Sequence, residues 1–297
     1  MKSKTKKTGF SIIELLTVMS IIMILLGILV PSLGAVRRYA RVVKQKGMFH
    51  DMGKGLEMFS VDHDGYTDSS PEDLDKNEYC GAMKVCEAMV GQDGLGFHPD
   101  SVFDDKGQAG GVDLYYNRTA LVGPPYAAAD EQNLRTRKPK YMEGKDIQVA
   151  SVEALFGATT GTFDPCCPVL CDVFKRTQLI VNGQKAGMPI LYYKADPSKL
   201  THDILRIGPD PLSGENIYNY WDNRELVKIR PPWAPTTDHP LYNPPGGTYE
   251  GEVFYAITKN KDVTTTPKPY NENSYILISA GWDGLYGTED DVFNFED

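Results

Sequence analysis

A single carboxylate, Glu14, stands inside the apolar run FSIIELLTVMSIIMILLGILV at residues 10–30. Three more, Asp283, Asp290 and Asp291, crowd the C-terminal stretch SAGWDGLYGTEDDVFNFED. Neither setting suits a negative charge. A carboxylate in hydrocarbon costs roughly 3 kcal/mol or more, so a lone Glu14 needs a positive partner. An ion pair is far stronger in low dielectric than in water, and the N-terminal end of a helix also favours an anion. At the other end, three aspartates within nine residues, closed by Gly284 and Gly287, repel one another unless a cation sits among them. Calcium takes about six to eight oxygens in flexible geometry, and glycines let the backbone wrap around it. The competing explanation is a solvated acidic terminus, because Glu289, Glu296 and Asp297 cluster with them.

The remaining reactive side chains are less telling. Cys80 and Cys86 form one local cluster, and Cys166, Cys167 and Cys171 another. In an exported chain this is disulfide material. Zinc competes, since CCPVLC supplies thiolates, but the spacing is not a paired CxxC and no histidine lies near; unpaired thiols are the third alternative. An odd count leaves at least one cysteine unpaired or bridging between chains. His50, His63, His98, His202 and His239 are isolated in sequence, and no GxSxG, HExxH, GxxxxGK[ST] or GxGxxG occurs. The acidic residues of DHDG (Asp62, Asp64, then Asp68) fail the calcium-loop test of an EF-hand, because Pro71 occupies the twelfth position; a helix-ending turn fits better. No catalytic constellation emerges, and a net charge of −9 argues against a nucleic-acid-binding face.

The elements that must position these residues follow from the patterning. The apolar run is 21 residues, which at about 1.5 Å each just spans a hydrocarbon core of about 30 Å. Lys2, Lys4, Lys6 and Lys7 precede it and Arg37, Arg38, Arg41, Lys44 and Lys46 follow it, so charge alone leaves orientation open. Beyond the run, Val36, Tyr39, Val43, Phe49, Met52, Leu56 and Phe59 keep helical spacing. One long helix is expected over 10–61, with its transmembrane part at 10–30 and loosening expected near Pro31, Gly47, Gly53 or Gly55. A globular head follows over 62–297. Its first part, 62–172, reads as a loop-rich insertion with short helices at GAMKVCEAMVG and SVEALFGA. Its second part, 173–297, carries strand-like runs, TQLIVN, MPILYYKA, EVFYAIT and SYILISA, with no helix alternating between them, which predicts an antiparallel sheet.

The order basic leader, Gly9, Phe10, Glu14 at the fifth position after the glycine, long apolar run and Pro31 resembles the start of a class III prepilin of the type IV filament superfamily. The resemblance covers about thirty residues. It implies cleavage by a prepilin peptidase after Gly9, so that residues 1–9 are a leader, and N-methylation of Phe10. It also implies assembly through Glu14, whose carboxylate neutralises the new amine of a neighbouring subunit. The implied fold is α+β and pilin-like: a long N-terminal helix, transmembrane in its first half, packed on an antiparallel sheet, here with a large irregular insertion.

The C-terminal stretch resembles the calcium loop of major pseudopilins of type II secretion. By that match Asp283, Asp290 and Asp291, the carbonyl of Ala280 and an oxygen of Thr288 are the metal ligands; Trp282 departs from the family, which has a small residue or proline there. The resemblance implies a non-enzymatic filament subunit in the inner membrane of a bacterium, its head in the periplasm or outside. Its partners would be copies of itself, minor pseudopilins, the assembly platform and, before assembly, lipid. A surface type IV pilin for adhesion or motility is the nearest alternative, and a membrane-tethered periplasmic binding protein or enzyme the next.

Overall fold

The computed structural model describes residues 11–115, 118, 131–143, 147–157, 159–179, 183–206, 208, 214–263 and 266–295. In chain order these form helix α1 (Ile12–Asp62), helix α2 (Gly81–Val90), a small hairpin of β1 (Gln108–Ala109) and β2 (Val112–Asp113), helix α3 (Glu131–Thr136) and strand β3 (Gln148–Ser151). Helix α4 (Val152–Phe156), strands β4 (Pro168–Cys171), β5 (Thr177–Gln178), β6 (Lys185–Ala186) and β7 (Leu191–Lys194), helices α5 (Arg224–Lys228) and α6 (Glu252–Thr258), and strands β8 (Tyr275–Ser279) and β9 (Val292–Phe293) complete the chain. Two units separate, residues 1–43 and residues 44–297.

Helix α1 is continuous over 51 residues, without the expected loosening at Pro31 or the glycines. In the first unit its large apolar side chains from Ile12 to Val30 are 43–82% exposed. Among the described residues it is the one helix long and apolar enough to cross a membrane. In the second unit the same helix changes character. Gln45, Met48, Phe49, Met52, Leu56 and Phe59 are buried at three- and four-residue steps, the stripe an amphipathic helix presents to a core. Phe59 meets Phe97 and Tyr141 edge-on, at 5.2 and 5.5 Å between ring centres. Gln45 Oε1 accepts the backbone N–H of Val173 at 3.0 Å. The helix ends at Asp62 in a turn with Asp64 at φ 56°, as DHDG suggests.

The expected antiparallel sheet is present as β7–β8–β9, paired Leu191↔Ile278, Lys194↔Tyr275 and Ser279↔Val292. Strands β3 and β4 form a second antiparallel pair. Backbone bonds Ile190 N–H to Leu170 O and Asp172 N–H to Met188 O, both 2.8 Å, carry β4 into β7. One strand expectation is corrected: EVFYAIT is helix α6. Its buried residues, Phe254, Tyr255 and Thr258, recur at helical steps while Glu252 and Ala256 face solvent, and the helix starts after Gly251 at φ 79°. Within TQLIVN only Thr177 and Gln178 are strand, and 180–182 lie outside the described residues.

The insertion is not merely loop. Helix α2 is buried along its whole length and packs on β4 and β7. Its first residue shows how tightly: a Cβ on Gly81 would lie 2.3 Å from the Tyr192 carbonyl and 3.1 Å from Ser69 Cβ. Gly81→Ala is expected to push α2 off β7 and cost about 2–3 kcal/mol, read as a lowered urea midpoint with unchanged slope. One buried ion pair lies in the insertion: Arg137 binds both oxygens of Asp93 at 2.6 and 2.7 Å, with each side chain 1% exposed.

His202 is buried against α6. Its Nε2 lies 2.7 Å from Thr258 Oγ1, whose hydroxyl donates to the Phe254 carbonyl. Nε2 therefore carries the proton, and Nδ1 is buried without a partner. Burial pushes its pKa down to about 3. Below about pH 6.5 the unfolded chain takes up a proton that the folded chain refuses, so stability falls as pH drops from about 6.5 toward 3, by up to about 1.4 kcal/mol per pH unit. His202→Gln should flatten that part of the stability–pH curve measured by urea unfolding.

Candidate functional site

Two places gather the side chains singled out in the sequence. The first is the start of α1. Glu14 lies in its first turn, and Oε2 accepts the backbone N–H of Ser11 at 2.9 Å. The first turn of a helix leaves its N–H groups without intrahelical partners, and the helix dipole adds positive potential there. Within one chain Glu14 is thus a cap. Thr17 and Ser20 return their hydroxyls to the carbonyls of Ile13 and Leu16, at 2.7 and 2.9 Å, which hides their polarity inside the helix. Glu14 then remains as the one ionisable side chain between Ser11 and Val30. The cleavage and methylation positions, Gly9 and Phe10, lie outside the described residues.

The second place is the hairpin loop 280–291 joining β8 to β9. The strand register brings its ends together, and the loop folds back on its own carboxylates. Asp290 Oδ2 accepts the Asp283 N–H at 2.9 Å, and its Oδ1 lies 2.8 Å from Thr288 Oγ1. Asp283 Oδ1 accepts the Leu285 N–H, and Asp291 Oδ2 the Gly287 N–H, both at 2.7 Å. The Ala280 carbonyl accepts the Gly284 N–H at 3.1 Å. All five residues expected as ligands lie in one loop, where Asp290 is bonded to Asp283 and Thr288 while Asp291 and the Ala280 carbonyl bond Gly287 and Gly284; the three aspartates do not bring one oxygen each within 4.8 Å of one another. Asp291 Oδ1 is out of reach of solvent and has no partner. Burial, and then the charges of Asp290 and Asp283, push Asp291 well above the usual carboxylate range; burial and Asp290 also raise Asp283. Carboxylate, carbonyl and hydroxyl oxygens of this kind are hard donors that calcium takes.

Residues far away in sequence hold this loop, and the sequence reading missed them. Gly281 has φ +63°, and a Cβ there would lie 2.1 Å from the Asp290 carbonyl; only glycine fits. His239 Nδ1 accepts the Tyr286 N–H at 3.1 Å, Leu241 N–H donates to the Tyr286 carbonyl at 3.0 Å, and the Tyr286 hydroxyl reaches the Pro189 carbonyl. The Trp233 ring covers Gly284. Nothing local in sequence marks His239 or Trp233 for that role. Trp282, the departure from the resembled loop, is half-buried and leaves the turn closed.

A further acidic group exists: one oxygen each of Asp73, Asp104 and Asp105 converge within 4.8 Å. Asp73 there is already satisfied by the N–H groups of Asp75, Asn77 and Asp105. The five cysteines carry free thiols, with Cys80, Cys86, Cys167 and Cys171 buried and Cys166 half-buried.

Comparison with known proteins bears on the first place. The prokaryotic N-terminal methylation motif matches residues 4–30. The chain is 41% identical over 59 residues to the type IV wide pilus major component PilA4 of Thermus thermophilus, a match covering 20% of this chain and 45% of that protein. The chain thus spans less than half the length of this relative. No solved structure matches.

Proposed function

The N-terminal segment is that of a type IV filament superfamily protein, and from that premise we propose that the chain is a structural subunit of a pilus-like filament. A prepilin peptidase removes residues 1–9, Phe10 is methylated, and the exposed apolar half of α1 lies first in lipid and then against copies of itself. The observation that carries this reading is the first half of α1, wholly apolar on every side except for Glu14, with no partner surface among the described residues of its own unit. A helix apolar all round is stable only in lipid or among other such helices. The subunit acts by packing and carries no catalysis.

Within this class, the loop 280–291 favours a secretion pseudopilus, in which subunits added at the base push cargo outward. Its ligands would be Asp283, Asp290, Asp291, Thr288 and the Ala280 carbonyl, and the ion would neutralise their mutual repulsion. The similarity to a wide-pilus major component favours a surface pilus instead. Electron microscopy of material sheared from cells, labelled with antibody to the head, tests the shared reading: labelled filaments are expected. Label confined to membranes, with none in sheared filaments, would leave only an anchored protein.

A further inference from the structure

The stretch of α1 just past the apolar run is one-sided in charge. From Leu15 to His50 the chain has no carboxylate, while Arg37, Arg38, Arg41, Lys44 and Lys46 crowd its last part, in a protein of net charge −9. The three arginines belong to the first unit and are exposed there, as are Val36 and Tyr39. Residues three and four apart are neighbours on a helix surface, so Arg41 stands beside both Arg37 and Arg38.

The spacing along the axis matches a bilayer. No ionisable side chain lies between Glu14 and Arg37. At about 1.5 Å per residue Arg37 is about 34 Å from Glu14, Arg38 about 36 Å and Arg41 about 40 Å. A hydrocarbon core is about 30 Å thick, and the bilayer with its headgroups about 40–45 Å. A helix that keeps Glu14 at one edge of the core, where it escapes the cost of burial, therefore carries the arginines into the headgroup layer of the opposite leaflet. Helical side chains lean toward the helix N-terminus, which here is toward the membrane, so the long arginine stems reach back among the phosphates. Tyr39 suits the same depth, since tyrosine is enriched where bilayer meets water. A guanidinium donates two parallel N–H bonds to two oxygens of one phosphate, and its charge meets the phosphate's.

We propose that Arg37, Arg38 and Arg41 bind the phosphate groups of anionic phospholipid in the leaflet opposite Glu14, and so fix the depth of α1 in the membrane before assembly. The proposal rests on the reading of α1 as a membrane helix with an exported head. In that reading loss of residues 1–9 takes away Lys2, Lys4, Lys6 and Lys7, and the three arginines become the first basic side chains of the chain. Basic groups on the exported side run against the usual charge bias of membrane proteins, and a lipid partner gives them a use there.

The test takes the full chain in detergent micelles and titrates it with phosphatidylglycerol or with phosphatidylcholine, counting bound lipid by native mass spectrometry. Phosphatidylglycerol is expected to bind the tighter. Each basic side chain near a membrane surface contributes about fivefold, so the triple variant Arg37→Gln, Arg38→Gln, Arg41→Gln should weaken that binding about a hundredfold. A second triple variant, Lys106→Gln, Lys140→Gln, Lys175→Gln, removes the same charge from exposed positions of the head and should leave it unchanged. Equal binding of the two lipids, a preference that survives the arginine variant, or an equal loss in the lysine variant would overturn the proposal. So would displacement of the lipid by inorganic phosphate at matched concentration, which would make the patch a plain phosphate site. Carbonate extraction of cell membranes reports on the underlying reading. A chain released by carbonate ends both, whereas an integral chain that holds both lipids alike ends this proposal alone.

Discussion

Glu14→Leu is expected to insert in the membrane as well as the unaltered chain does and to form no filaments. The substitution removes the one carboxylate from the apolar run, so the cost of placing α1 in hydrocarbon falls. In the proposed filament, what is lost is the partner of a positive amine on the adjoining subunit. At 4 Å and an effective dielectric of about 20, that attraction is about 4 kcal/mol, close to a thousandfold in each subunit contact. Glu14 also caps the N-terminus of its own helix through Ser11, and Leu removes that cap as well. Glu14→Gln separates the two effects, since an amide oxygen still accepts from Ser11 but carries no charge. Both variants should fractionate with membranes and be absent from sheared material. Filaments of normal yield from Glu14→Gln would show that capping, not charge pairing, is the work of this residue.

The calcium proposed for the loop 280–291 carries the second large expected effect, seen on its removal. At a free concentration about a hundred times the dissociation constant, a bound ion stabilises the folded chain by about 2.7 kcal/mol. A domain of this size shifts its melting temperature by about 2–4 °C per kcal/mol, so a chelator should lower it by about 5–10 °C, restored by calcium and not by magnesium. Asp291→Asn gives the sharper comparison. Asp291 Oδ1 is buried without a partner, and the charges of Asp290 and Asp283 oppose its ionisation. The variant should therefore lose the response to calcium yet melt above the unaltered protein when both are in chelator. A melting temperature indifferent to the chelator would remove the ion from the structure.

The features legible in the sequence are those whose partners lie within one turn or one loop. The long helix, its change from all-round apolar to one buried stripe after Val43, the Glu14 signal and the crowding at 283–291 are all written in adjacent residues. The sheet strands MPILYYKA and SYILISA were equally plain, being runs of β-branched and aromatic residues buried on both faces. EVFYAIT was not, because a seven-residue apolar window fits a strand or two helical turns alike. Only the burial of Phe254, Tyr255 and Thr258 on one side decides it. The β3–β4 pair was missed for a different reason. Its strands are separated by α4 and a long loop, and QVAS carries no alternation. The supports of the C-terminal loop, His239, Leu241 and Trp233, and the buried Arg137–Asp93 pair are tertiary facts with no local signature. The cysteines show the boundary well: their two clusters were visible, but the burial of Cys80, Cys86, Cys167 and Cys171 on α2 and around β4 is a tertiary fact.

The filament reading depends on an amine being created at Phe10, and that step leaves a direct trace. Mass spectrometry of the N-terminal peptide of the native protein, taken from membranes and from sheared material, reads it. The expected peptide begins at Phe10 with one methyl group on its amine. A peptide that still carries Lys2, Lys4, Lys6 and Lys7 ahead of Gly9 would contradict it, because Glu14 would then have no charge to meet on a neighbouring chain.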